Sequence, residues 1–427
     1  MTSAAALLCV ASAVALVGVV SAKEGGHDHF VSPQHDRGVG RIDGDEFELL
    51  KVIDMNRHGH RAPNAPFWNL CPKEAGNKDR FGTGPEDLTS VGFDEEFRNG
   101  VYLRDMYPDV VGAEYDRTQS FAQAAGEPRT LQSCLAIVNG AFPATKRTPS
   151  AGLPHHPNLV PVYSASQPTE FWLNDIPCKK KTALDVARFI KGEGVQIYAE
   201  NKALIERIFD MCGTTKEAAE AVSLDLLIKL VVDGIIFEHD FGISPLGGRI
   251  SDRDFAQLRN LSNAFLFGKL YGTDEQRTFT AAEFPHFLVK HFDFFEGRGI
   301  KNTWKDNQVQ AIRTPLNIFV CHREEIYGLA FFFDWRYHAK DMAPGEVPAG
   351  TSFVYEYLRH KKTKELFLRT KMWNPREGEI PVTAPACKRK HMCSEEELTA
   401  IYNKRISRTG RWDTLCEFPR PDQWMQP

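Results

Sequence analysis

Residues 57–63 read Arg-His-Gly-His-Arg-Ala-Pro and follow an apolar run, 47–55, that has the length and character of a buried strand. The heptapeptide sets two guanidiniums either side of an imidazole where strand gives way to loop. Two arginines four apart can grip one dianionic oxyanion only if the backbone turns sharply between them. Gly59 permits that turn and Pro63 stiffens its exit. The constellation therefore points to phosphate, or an anion like it, held at the end of the first strand.

The chemistry follows from charge. Arginine keeps its proton at any ordinary pH and presents a planar fork that matches phosphate oxygens bidentately. A histidine crowded by such cations is pushed towards its neutral, nucleophilic form. The pattern predicts that Arg57 and Arg61 bind a phosphomonoester. His58 then attacks phosphorus in line and forms a phosphohistidine that water hydrolyses. His60, between the arginines, either faces the substrate mouth or fills space. Phe67 and Trp68 either line that mouth or pack in the core.

Two further segments carry matching signals. In 126–143, Leu131, Cys134, Leu135, Val138 and Phe142 recur at helical spacing, which puts Arg129 at a helix start directly after Pro128. A helix N-terminus favours anions, and an arginine there strengthens the preference. In 315–335, residues 316–321 read as a short buried strand, and His322 follows its end as His58 follows the first.

Arg-His-Gly-x-Arg-x-Pro resembles the signature of the histidine acid phosphatases, whose branch also contains phytases and multiple inositol polyphosphate phosphatases. The segment 87–108, with Leu88-Thr89 and Gly92, resembles the family's next helix, and Arg129-Thr130 its Arg-Thr pair. The resemblance implies that His58 is the nucleophile and that Arg57, Arg61, Arg129 and His322 hold the phosphate. Acid phosphatases place an aspartate after the second histidine as proton donor, but here that position is Arg323, and a guanidinium cannot act as a general acid. The inositol polyphosphate branch uses His-x-Glu, which His322-Arg323-Glu324 resembles. Glu324 is thus the expected donor, with Glu325 the fallback, although dipole complementarity alone would also place a Glu-Glu pair at a helix start. A protonated donor beside a neutral nucleophile implies an acidic working range. No metal or other cofactor is expected, since guanidiniums supply the charge.

Three function classes follow. The first is an acid phosphomonoesterase, with a phytase-like or inositol polyphosphate range as its variant. The second is a metal hydrolase, because His58-Gly59-His60 also resembles a metal-binding His-x-His; two flanking arginines would repel a divalent ion. The third is a catalytically weak phosphate-binding surface protein, a reading that Arg323 alone supports.

Residues 1–22 are expected to be a signal peptide, with small residues Val20-Ser21-Ala22 before Lys23. No Lys or Arg precedes the apolar stretch, so an uncleaved anchor is the alternative. No second span is evident and the C-terminus lacks a hydrophobic tail. Of nine cysteines, eight lie beyond the signal, an even set that suits an oxidising compartment, either extracellular or lysosome- or vacuole-like. The resemblance implies the pairs Cys178–Cys416 and Cys387–Cys393, while Cys134 and Cys321 fall on core elements as candidate buried thiols. Asn260-Leu261-Ser262 is a glycosylation sequon.

Residues 23–46 read as a mobile arm, in which His27 and His29 are expected to be solvated. The fold class expected is α/β: a doubly wound mixed or parallel sheet with an inserted α-helical cap. The core would comprise 47–175 and 311–427, with strands near 47–55, 159–163 and 316–321, and the cap 176–310, where 183–191 and 223–240 show helical spacing. A net charge of −4 argues against a nucleic-acid partner, and Lys388 to Lys390 read as a solvated loop. The partner expected is a small-molecule phosphomonoester, with a homodimer left open.

Overall fold

The computed structural model describes residues 44–143, 159–164, 173, 178–299, 306–340 and 342–417. Every described residue lies in one compact unit, Val39–Pro427. The expected signal peptide, most of the expected arm, and His27 and His29 fall outside the described residues.

Among the described residues, eight strands form one sheet. They are β1 (Phe47–Arg57), β2 (Ser120–Ala124), β3 (Tyr163–Ser164), β4 (Leu316–Cys321), β5 (Ser352–His360), β6 (Leu366–Asn374), β7 (Gly378–Ile380) and β8 (Met392–Ser394), in the order β3-β2-β4-β1-β5-β6-β7, with β8 also on β6. The β3, β2, β4 and β1 pairings are parallel, and those of β5 to β8 antiparallel. The expected strand at 159–163 is thus only the pair Tyr163–Ser164.

Side chains alternate across the sheet, as the two-residue period of a strand requires. Ile53, Met55, Phe319 and Tyr355 face one core, while Val52, Ile318, Val320 and Val354 face another. Helices longer than ten residues are α1 (Ser90–Met106), α2 (Pro128–Ala141), α3 (Lys179–Lys191), α4 (Glu193–Cys212), α5 (Leu224–Asp240), α6 (Asp252–Tyr271), α7 (Phe284–Phe295), α8 (Arg323–Phe333) and α9 (Glu395–Thr409). Leu103 of α1 and Ile137 of α2 join the second core; Phe287 of α7 and Ile326 of α8 join the first. Both faces of the sheet are covered, so the fold is the expected α/β class.

A third core belongs to the helical region, where Ile205, Ile208, Leu227, Val231, Ile235, Leu261 and Phe265 surround Phe67, Trp68 and Leu70. The part of 176–310 with its own core is therefore shorter than that span, because Leu266, Leu270 and α7 pack with the sheet. Phe67 and Trp68 are buried there, 0% and 7% exposed, which decides for packing over the mouth. Cys71–Cys212 ties this segment to the end of α4; Cys178–Cys416 and Cys387–Cys393 form as the resemblance implied, and Cys134 and Cys321 are buried thiols. Asn260 is exposed on α6.

Helices α1 and α2 cross at glycine. A Cβ on Gly100 would sit 2.0 Å from the Ile137 carbonyl oxygen, and one on Gly140 would sit 2.1 Å from that of Phe97. Gly59 is needed for the same reason. Its φ is not left-handed, contrary to the expectation of a special turn; instead a Cβ there would meet the Gly92 carbonyl oxygen at 2.5 Å.

Candidate active site

Strands β1 and β4 run parallel with Arg57 level with Cys321, so His58 and His322 emerge side by side, their rings 5.4 Å apart. Helix α2 brings Arg129 and α8 brings Arg323, Glu324 and Glu325 to the same place. Together with Arg57 and Arg61 they line a cavity of about 240 Å³, roofed by Leu226, Lys229, Leu230, Asp233 and Phe237 of α5. All seven expected site residues thus share one cavity at the carboxyl end of the parallel strands, where ligands bind in open α/β sheets.

His58 is buried, and its Nδ1 lies 2.9 Å from the Gly59 carbonyl oxygen. A carbonyl only accepts, so Nδ1 carries the proton and Nε2 keeps its lone pair. Burial first, then the charges of His322, Arg57, Arg129 and Arg61, holds this imidazole well below its ordinary 6.5. Its neutral form is thereby favoured.

The Arg57 and Arg61 guanidiniums are anchored by neutral partners. Arg57 donates to the Val347 carbonyl oxygen at 2.5 Å. Arg61 donates to the Ala62 carbonyl oxygen and Asn64 Oδ1, both at 2.9 Å, with its Cζ 4.5 Å over the Phe237 ring. Burial and then Arg129 bring the Arg61 pKa down to about 9. Arg129 has a carboxylate at 3.8 Å, that of the more exposed Glu86. The Nε atoms of Arg57, Arg61 and Arg129 are all buried without a hydrogen-bond partner. Three unsatisfied cationic donors around one imidazole describe an anion site.

His322 Nε2 lies 3.1 Å from Glu127 Oε2, a hydrogen bond that is the first cause holding the Glu127 carboxyl below its ordinary value. Arg323 donates to both Asp233 oxygens, at 2.9 and 3.3 Å. Its Nε is 3.4 Å from Glu324 Oε1, and Lys229 Nζ is 3.9 Å from that same oxygen. The two glutamates differ. Burial pushes Glu324 up, but Arg323, Lys229 and His322 outweigh it and hold the carboxyl well below the usual range. Glu325 is pushed up to about 7, chiefly by burial, and its Oε2 accepts from the His322 backbone N–H at 3.0 Å.

His60 is not in the cavity. It is fully buried, with Nδ1 2.8 Å from Thr89 Oγ1 and Nε2 2.8 Å from the Phe237 carbonyl oxygen, and its ring stacks with Phe81 and Phe241. It joins the heptapeptide loop to α5.

Sequence reasoning missed Glu127, Lys229, Asp233 and Phe237. The last three had a signal: with Leu226 and Leu230 they fall at helical spacing on one stripe of α5, and Lys229 and Asp233 interrupt an otherwise apolar run. Among the described residues, no group of three or more His, Cys, Asp or Glu could hold a metal ion.

With this geometry in view, residues 48–190, about a third of the chain, match the model of the histidine phosphatase superfamily (branch 2). It is 24% identical over 231 residues to prostatic acid phosphatase of Bos taurus, covering 54% of this chain and 57% of that one. It is 24% identical over 231 residues to lysosomal acid phosphatase of Rattus norvegicus, covering 52% and 50%. The chain thus spans about half the length of these relatives. Among solved structures, a phytase of Klebsiella sp. ASR1 superposes with a TM-score of 0.63 at 15% identity, over 89% of this chain and 100% of that one, a likeness of fold.

Proposed function

We propose that the protein is an acid phosphatase that hydrolyses phosphomonoesters through a phosphohistidine. The observation that carries this reading is the neutral His58, its Nδ1 proton tied to Gly59 and its Nε2 lone pair left free among three guanidiniums with unpartnered Nε atoms. Arg57, Arg61, Arg129 and His322 bind the phosphate. Nε2 of His58 forms the new bond to phosphorus as the ester P–O bond breaks, and the departing oxygen takes the proton of Glu324. Water then attacks the phosphohistidine, returning its proton to Glu324, releasing inorganic phosphate and restoring the Nε2 lone pair.

Glu324 is ionised in the free protein, so it gains its proton with the substrate. A phosphate in the guanidinium cluster offsets the positive field that holds the carboxyl down. Glu325 already holds a proton up to about 7, but its carboxyl is engaged with the His322 backbone. Glu324→Gln should spare aryl esters, whose leaving groups depart unprotonated, and cripple alkyl ones; the same pattern in Glu325→Gln instead would move the role by one residue. The test of the whole reading is phosphate release from phenyl phosphate and glycerol 2-phosphate at pH 4 to 8 with chelator present. We expect chelator-insensitive turnover that is fastest at acidic pH and abolished by His58→Ala. Wild-type protein inert towards both esters would overturn it in favour of a phosphate-binding protein.

The three disulfides support residence in an oxidising compartment of the secretory pathway. No described helix is long and apolar enough to cross a membrane.

A further inference from the structure

The cavity is lined by five cationic side chains, Arg57, Arg61, Arg129, Lys229 and Arg323, but they are not equally available. Arg323 is the one held closely by a carboxylate. It is locked in a two-point ion pair with Asp233, which is 5% exposed. Burial opposes the Asp233 charge, yet Arg323 and Lys229 keep its pKa below the ordinary value, so the pair is ionised on both sides. The buried guanidinium Nε atoms without partners are those of Arg57, Arg61 and Arg129, all beside His58. The unpartnered guanidinium donors therefore gather at the reacting phosphate, and the Arg323 guanidinium is withheld from any second one.

The remaining wall towards α5 is largely apolar. Leu226 is 39% exposed at the rim, Leu230 lies one turn further in, and the Phe237 ring lies against Arg61. At about 240 Å³ the cavity is also below the usual range of ligand pockets, roughly 300 to 1,000 Å³.

We propose that Asp233 is a specificity-determining residue: by occupying Arg323 it restricts the site to esters carrying a single phosphate on an uncharged alcohol, which rests on Leu226 and Leu230, and turns away polyphosphorylated substrates. A second phosphate on the substrate would find the Asp233 carboxylate beside the guanidinium it needs, a repulsive element that discriminates without contacting the reacting group. This inference rests on the phosphatase reading above.

The experiment compares kcat/KM for phenyl phosphate and for inositol hexakisphosphate at pH 5. Wild-type protein is expected to favour phenyl phosphate. Asp233→Asn keeps the side-chain shape but frees the Arg323 charge, and should move the ratio roughly tenfold towards the hexakisphosphate, the size of one charge interaction across the cavity. Should that variant fail to fold, Leu226→Lys at the exposed rim adds a cation by another route and should move the ratio the same way. Wild-type preference for the hexakisphosphate, or a ratio that stays put in the folded variants, would sink this inference and leave the phosphatase reading standing. Absence of turnover on both substrates would sink the two together.

Discussion

Asp54 lies in the middle of β1, fully buried, and its carboxyl is pushed up to about 7, first by burial and against the hydrogen bonds it accepts from Ser352 Oγ and Asn56 Nδ2. Below that pH the folded protein keeps a proton that the unfolded chain, with its carboxyl near the ordinary 3.8, has already released. The folded state therefore binds more protons between about 4 and 7, and stability falls as pH rises through that window. Across the window from about 4 to about 7, at about 1.36 kcal/mol per pH unit, the cost comes to about 4 kcal/mol, fully absent below 4 and fully incurred above 7. Asp54→Asn removes the titration while keeping the contacts, since its carbonyl can accept from Asn56 and its amide can donate to Ser352 Oγ. The Asp54 charge also raises Glu96, so its removal relieves that buried carboxyl in the same direction. The assay is urea unfolding of wild type and variant at pH 4 and pH 8 with the disulfides intact. Relative to wild type, the variant should gain up to about 4 kcal/mol between the two pH values. A wild-type-to-variant difference that does not change with pH would refute the argument, because it would mean that Asp54 ionises as readily in the folded protein as in the unfolded chain.

Arg129→Ala should lower kcat/KM for phenyl phosphate by roughly ten- to a hundredfold, the loss of one charge-assisted contact, read from steady-state kinetics. Replacing Cys71 and Cys212 together by Ser opens a span of 141 residues and should lower stability by up to about 5 kcal/mol, measured by denaturant unfolding. His60→Leu strips the Phe237 carbonyl and Thr89 of their partner and should cost about 1 to 3 kcal/mol, seen as a lower thermal midpoint.

The cavity floor was legible because its chemistry is local in the chain. Arg57 to Arg61 are consecutive with a strand end, and Arg129 and His322 each stand at a recognisable element boundary. The antiparallel half of the sheet was not legible, although β5 and β6 are nine residues each. Glu356 is 0% exposed inside β5 and pairs with Arg369 and Lys371 of β6. Charges that satisfy one another in the interior break the apolar pattern by which a buried strand is recognised, and only the partner strand explains them. The roof was hidden for a related reason. Asp233 reads as an oddity within α5, and its meaning depends on Arg323, ninety positions later. The choice between Glu324 and Glu325 likewise turns on Lys229 and Arg323, which only the fold brings to bear on Glu324.

The glycine crossing of α1 and α2 gives a distant position authority over the anion site. Gly140 sits eleven residues along α2 from Arg129, about 16 Å by helix rise, and touches nothing in the cavity. A methyl group there must push the two helices apart, because it would meet backbone rather than a yielding side chain. Since α2 is a single rigid rod, the displacement arrives at its other end as a misplaced guanidinium. An inherited alanine at Gly140 would thus look, in an assay, like weak grip on phosphate, and ranking variants by their distance from His58 would pass over it.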